Sequence, residues 1–199
     1  MKIIMYWVLL FSSCASFALE NNPSGQEKSS VCAACHGATG QSSNSLWPHL
    51  AGQHATYIIK QLRDFKAGES RHAAIMTPFV ASLNKQDMTD LALFYSKQPL
   101  VTPKKKNHQN LRGEQLYRRG DAEKQITACI ACHGPTGLGN EEAGFPALAG
   151  QQKDYTIQQL KAFKKGTRQN DSYQIMRTIS ARMSHKDMAA VADYLSTLH

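Results

Sequence analysis

Two pentapeptides of the form Cys-x-x-Cys-His constrain this chain more than any other feature. They are Cys32-Ala33-Ala34-Cys35-His36 and Cys129-Ile130-Ala131-Cys132-His133. This is the attachment signature of a c-type haem, and the chemistry uses each member. The two thiols bond to vinyl groups of the macrocycle, and the adjacent imidazole reaches the iron as proximal ligand. A lone Cys-x-x-Cys would also fit a redox dithiol or half of a zinc site. The histidine at both copies disfavours those readings, and no βαβ pattern surrounds the motifs. Two covalently bound haem c groups are therefore expected, on Cys32, Cys35, Cys129 and Cys132, with His36 and His133 as iron ligands. Two haems in so short a chain imply electron handling.

The first residues read as a secretory leader. Lys2 supplies a positive start, Ile3 to Phe11 is uncharged and apolar, and Ser16-Phe17-Ala18 offers small residues for cleavage. The leader is expected at 1–18 and is too short to anchor the mature chain across a bilayer. Leu10-Phe11-Ser12-Ser13-Cys14 is a weak likeness of a lipoprotein signal, with Phe11 where an aliphatic residue is usual. Cleavage after Ala18 removes Cys14 and leaves four cysteines, all in the two motifs. A leader also places the mature protein in the periplasm.

The remainder is one unit written twice. Trp47-Pro48-His49-Leu50-Ala51-Gly52-Gln53 matches Phe145-Pro146-Ala147-Leu148-Ala149-Gly150-Gln151. Tyr57, Gln61, Leu62, Phe65 and Gly68 match Tyr155, Gln159, Leu160, Phe163 and Gly166. Asp87-Met88 matches Asp187-Met188. The register between the copies drifts by a few residues, as loop insertions produce. The expected domains are 19–100 and 107–199, joined at 101–106 by a connector containing Pro103 and Lys104-Lys105-Lys106.

Each copy reads as all-α. A first helix is expected over 26–34, and over 113–131 with a break near Gly120-Asp121. A middle helix is expected over 54–66, its apolar face formed by Tyr57, Ile58, Leu62 and Phe65, with Gly68 and Gly166 as stops. Asn84 and Ser184 begin the last helices, each with an aspartate three residues later in the manner of a capping box. Domains this small bury little apolar surface alone. The haem must supply much of each core, and the apo-protein is expected to fold poorly.

The sixth iron position separates a carrier from an enzyme. Met76 aligns with Met176, and Met88 with Met188. The second pair falls on the fourth position of the last helix, opposite Leu83 and Met183, as in a hydrophobic staple. Met76 and Met176 fall in the irregular stretch before that helix, where a loop can present a thioether, so they are the favoured distal ligands. Thioether with imidazole raises a c-type haem's potential. His49, His54, His72, His108, His185 and His199 are not repeated and read as surface groups, His72 being a minor rival ligand four residues before Met76. Pro48 and Pro146 read equally as turn prolines or as carbonyl acceptors for the other ring nitrogen of each haem histidine.

The tandem motifs, the Pro-x-Leu-Ala-Gly-Gln segments and the Ile75-Met76-Thr77-Pro78 and Ile175-Met176-Arg177-Thr178 loops resemble the cytochrome c4 family over about residues 24–199. The resemblance implies two class I cytochrome c domains. It implies axial ligation by His36 with Met76 and by His133 with Met176, and carbonyls of Pro48 and Pro146 as histidine acceptors. It also implies a periplasmic, loosely membrane-associated protein that passes electrons towards terminal oxidases. The chain departs from the pattern ahead of its first motif, where Pro23-Ser24-Gly25-Gln26 stands in place of Gly113 to Tyr117.

The formal net charge is +8. A basic surface suits acidic docking patches or anionic headgroups, although it is equally read as a solvated exterior. No nucleic-acid motif accompanies it. The leading expectation is a non-enzymatic dihaem carrier with no small-molecule substrate. Its expected partners are redox proteins: a cytochrome bc1-type complex or dehydrogenase as donor, and a terminal oxidase as acceptor. The alternatives are the dihaem subunit of a flavocytochrome or dehydrogenase complex and, against the repeated methionines, a dihaem peroxidase.

Overall fold

The computed structural model describes residues 23–102 and 110–198. The expected leader at 1–18, Cys14, most of the expected connector, His108 and His199 lie outside the described residues. The first half contains α1 (Pro23–Lys28), α2 (Ser30–His36), α3 (Ala55–Ala67), α4 (Thr77–Ala81) and α5 (Lys85–Ser96). The second contains α6 (Leu111–Arg119), α7 (Ile130–His133), α8 (Lys153–Lys165), α9 (Ile175–Arg182) and α10 (His185–Leu195). The described residues form no strand, only isolated pairings. None of their helices is long and apolar enough to cross a membrane.

The middle helices α3 and α8 stop where the sequence predicts. Gly68 (φ +71°) and Gly166 (φ +70°) take the left-handed conformation that ends a helix and that residues with a Cβ avoid. The last helices α5 and α10 both begin with a complete capping box. Asn84 and Ser184 accept from the backbone N–H of Asp87 and Asp187, whose carboxylates accept in return. Met88 and Met188 are 3% and 0% exposed, so they are core residues.

The first predicted helix is interrupted in both halves. Ser29 divides it into α1 and α2 in the first. In the second, α6 and α7 are separated by a turn in which Asp121 and Ile126 exchange backbone hydrogen bonds of 2.9 and 2.8 Å. The shorter first half nevertheless keeps the same helix crossing. A Cβ on Gly25 would lie 2.3 Å from the Asp90 carbonyl oxygen of α5. A Cβ on Gly113 would lie 2.2 Å from the Ala190 carbonyl oxygen of α10. Glycine lets α1 and α6 approach the last helix this closely. Behind the crossings lie two cores, Ile58, Leu91, Ala92 and Tyr95 in the first half and a larger set including Leu116, Tyr117, Met188 and Leu195 in the second. Cys32 packs against one and Cys129 against the other, so each core is built onto its motif.

Candidate haem-binding sites

His36 closes α2 and His133 closes α7, and Gly37 and Gly134 follow at φ +78° and +75°. Both imidazoles are buried. The Nδ1–H of His36 donates to the Pro48 carbonyl at 3.0 Å, and that of His133 to the Pro146 carbonyl at 2.9 Å. A carbonyl can only accept, so the contact fixes the tautomer and leaves Nε2 free as a ligand atom. Burial lowers the pKa of both histidines, and the carbonyl contacts only partly oppose it, so the rings stay neutral. The prolines are held by matching loop closures: Leu50 N–H donates to Gly40 O and Leu148 N–H to Gly137 O, each at 2.7 Å. Phe145 stands edge-on to His133 at 6.1 Å.

The four motif cysteines are unpaired and half-buried. Burial pushes the Cys32 thiol up and the Cys129 thiol up to about 11, so neither is poised as a thiolate. Among the described residues no three His, Cys, Asp or Glu side chains converge as metal donors, which disfavours a tetrathiolate centre. A cavity of ≈ 1060 Å³ adjoins both motifs, and its walls include Cys32, His36, Cys129, His133, Met76 and Met176. Neutral cysteines and a tautomer-fixed histidine on a largely apolar cavity are the donor set a covalent haem needs.

Met76 and Met176 are not in equivalent backbone settings. Both were expected in irregular loops. Met76 is the residue before α4, whereas Met176 lies in the first turn of α9. Pro78 sits in the first turn of α4, where its missing N–H costs nothing. The second half begins its helix earlier because Tyr173 and Gln174 adopt positive φ of 52° and 60° just before it.

The contact between the halves lies outside the expectations drawn from the sequence. The Gln53 side chain donates to the Ala147 carbonyl (2.9 Å) and accepts from its N–H (3.0 Å). Gln151 does the same to His49, at 3.0 and 2.9 Å. Around this pseudo-twofold pair, Arg71 donates to Tyr155 Oη and Arg168 to Tyr57 Oη, both at 2.9 Å. Each buried guanidinium also lies over a phenylalanine of its own half, Phe65 or Phe163, at 4.2 and 4.4 Å. The reading of His49 and His54 as surface groups is corrected. The His49 Nδ1 accepts from Ser42 N–H at 3.0 Å, and His54 lies 3.9 Å from Glu141 of the other half with its Nε2 buried. His72 and His185 are exposed as expected. The repeated Gln53 and Gln151, each closing a matched segment, were the available signal.

The Cytochrome c family model matches the chain twice, over residues 25–97 and 111–199. The chain is 41% identical over 176 residues to cytochrome c4 of Pseudomonas aeruginosa, covering 88% of this chain and 87% of that protein. It is 40% identical over 169 residues to the thiosulfate dehydrogenase electron acceptor of Thiomonas intermedia, covering 83% and 77%. Among solved structures, reduced recombinant cytochrome c4 from Pseudomonas stutzeri superposes with a TM-score of 0.86 at 40% identity, covering 90% of this chain and 99% of that one.

Proposed function

The chain belongs to the cytochrome c4 family and carries two covalent haem c groups, and from that premise we propose a periplasmic one-electron carrier with two closed His/Met irons. The observation that carries this reading is the same in both halves. A buried histidine donates its Nδ1–H to a proline carbonyl, and a repeated methionine lines the same cavity. Cys32 and Cys35 would hold one haem and Cys129 and Cys132 the other, with His36 and Met76, and His133 and Met176, as axial pairs. A haem so held supplies a one-electron ferric/ferrous couple, and thioether opposite imidazole raises its potential. The Pro48 and Pro146 carbonyls orient the rings and increase their basicity. Arg71 and Arg168, beside the cavity, provide buried positive charge to match haem carboxylates.

Two closed irons leave no open coordination position, so no residue is assigned a catalytic role. The leader at 1–18 supports the periplasmic address, and the domains are taken as 19–100 and 107–199 about a connector at 101–106. The net charge of +8 suits acidic docking patches or an anionic membrane surface. We assign redox proteins as partners, a cytochrome bc1-type complex or dehydrogenase upstream and a terminal oxidase downstream. Similarity to a protein named as a thiosulfate dehydrogenase electron acceptor favours a dehydrogenase as donor in a second reading.

The test is the far-red absorption of the ferric protein, where methionine bound to ferric haem gives a weak charge-transfer band. Two equivalents per chain are expected. One or none would overturn the closed-site reading, and peroxide turnover would then be measured.

A further inference from the structure

Both halves hold their haem histidine in the same way, so a difference between the two sites must come from elsewhere in the pockets. Tyr95 of α5 and Leu195 of α10 provide one. They are structurally equivalent: Gly52 N–H donates to Tyr95 O and Gly150 N–H to Leu195 O, both at 3.0 Å. Both line the cavity, and Tyr95 belongs to the core against which Cys32 packs.

Tyr95 is 2% exposed, and its ring is fixed edge-on to Phe94 at 5.1 Å. A Cβ on Gly40 would lie 2.7 Å from the ring, so the loop after the first motif also clasps it. Yet its hydroxyl is buried without a hydrogen-bond partner. The Cys32 sulfur and Ser29 are its neighbours, Cys32 packing against the same core; Ser29 donates its own proton to Gln26 O at 2.7 Å and is not bonded to Tyr95. A phenylalanine would fill the same space without burying an unmatched polar group, so the hydroxyl calls for an acceptor. The sulfur of Cys32 loses its proton on forming a thioether and can then only accept.

We propose that the Tyr95 hydroxyl donates to the Cys32 thioether sulfur and thereby raises the potential of the first haem relative to the second. The positive end of the O–H dipole, turned towards the haem, favours the state with one more electron. In the second half Leu195 offers no donor. Tyr117, the buried phenol of that half, is committed to the Gly134 carbonyl at 2.6 Å. Burial holds the Tyr95 phenol far above its ordinary pKa, so it remains a donor at any working pH.

The inference rests on covalent haem at Cys32 and not on the methionine ligands, so the far-red band and this test fail separately. The test is spectroelectrochemical titration of dihaem Y95F, with the haems distinguished by their ferric NMR methyl signals. At fixed potential the ferrous-to-ferric ratio of the first haem should fall about fivefold, which is ~40 mV at 59 mV per tenfold for one electron. The second haem should not move. No change at the first haem, or equal shifts at both, would overturn the proposal. Should Y95F fail to fold, proton NMR of the unsubstituted ferrous protein decides. A slowly exchanging Tyr95 hydroxyl proton with a through-space contact to the Cys32 thioether supports the proposal, and a hydroxyl exchanging like a free phenol refutes it.

Discussion

At the scale of single residues, the two sites differ in how they hold the same atoms. Met76 precedes a five-residue helix, whereas Met176 lies in the first turn of an eight-residue helix. Replacing Met76 or Met176 by Ala should turn only the matching haem high-spin, lower its potential and admit carbon monoxide. Optical spectra with a carbon monoxide titration read this out, and a variant that stays low-spin would exclude that methionine as the ligand. The residues of the motifs were legible because covalent attachment dictates both their type and their spacing. His49 and His54 were not. Both are half-buried where the opposite half meets them, Gln151 at the His49 backbone and Glu141 near the His54 ring, and no local pattern records a neighbour so distant in sequence.

Among the elements, α10 is anchored by charge at its first turn. Asp187 caps it and also accepts from Arg112 of α6 (2.7 Å) and Lys124 (2.9 Å), tying the last helix to the first of its half. Burial alone would raise the Asp187 pKa, but hydrogen bonds from Ser184, Lys124 and Arg112 outweigh it and hold the carboxyl far below the usual range. A depressed folded-state pKa gives stability that is complete above the unfolded value of about 3.9 and is lost as pH falls below it. D187N should therefore cost about 2 kcal/mol at pH 7, since Arg112 and Lys124 keep some access to water. The gap to the unsubstituted protein should narrow from about pH 4 downwards and still be narrowing at about pH 2, because the folded-state value lies lower still. Urea unfolding of the holo-protein across that range checks it, and a gap independent of pH would rule the charge out as its source. The capping aspartates and the stop glycines were readable because helix ends are local chemistry. The earlier start of α9 was not, since it depends on positive φ at Tyr173 and Gln174, residue types that do not announce it.

For the whole molecule, the repeat seen in the sequence becomes a pseudo-twofold contact. What the matched segments could not say is that Gln53 and Gln151, which look like local loop closures, reach across to the other half. Each is nearly buried and satisfies one backbone N–H and one C=O of its neighbour. Truncating either side chain leaves two backbone groups without partners in the interior of the contact. Each orphaned group costs about 1–3 kcal/mol, which is large against the stability of a small domain. The docking of the halves rests on this contact, on the arginine–tyrosine crossing beside it, and on backbone bonds from Gln169 N–H to Ser70 O and Tyr155 N–H to Ser45 O at 2.7 and 2.9 Å. In the double variant Q53A/Q151A the haem spectra should be unchanged, because His36 and His133 are held within their own halves. The halves should undock: the radius of gyration from small-angle scattering should rise, and a single thermal transition should separate into two. An unchanged radius with one transition would mean that the remaining bonds across the contact, those of Arg71 and Arg168 among them, hold the halves together without the glutamines.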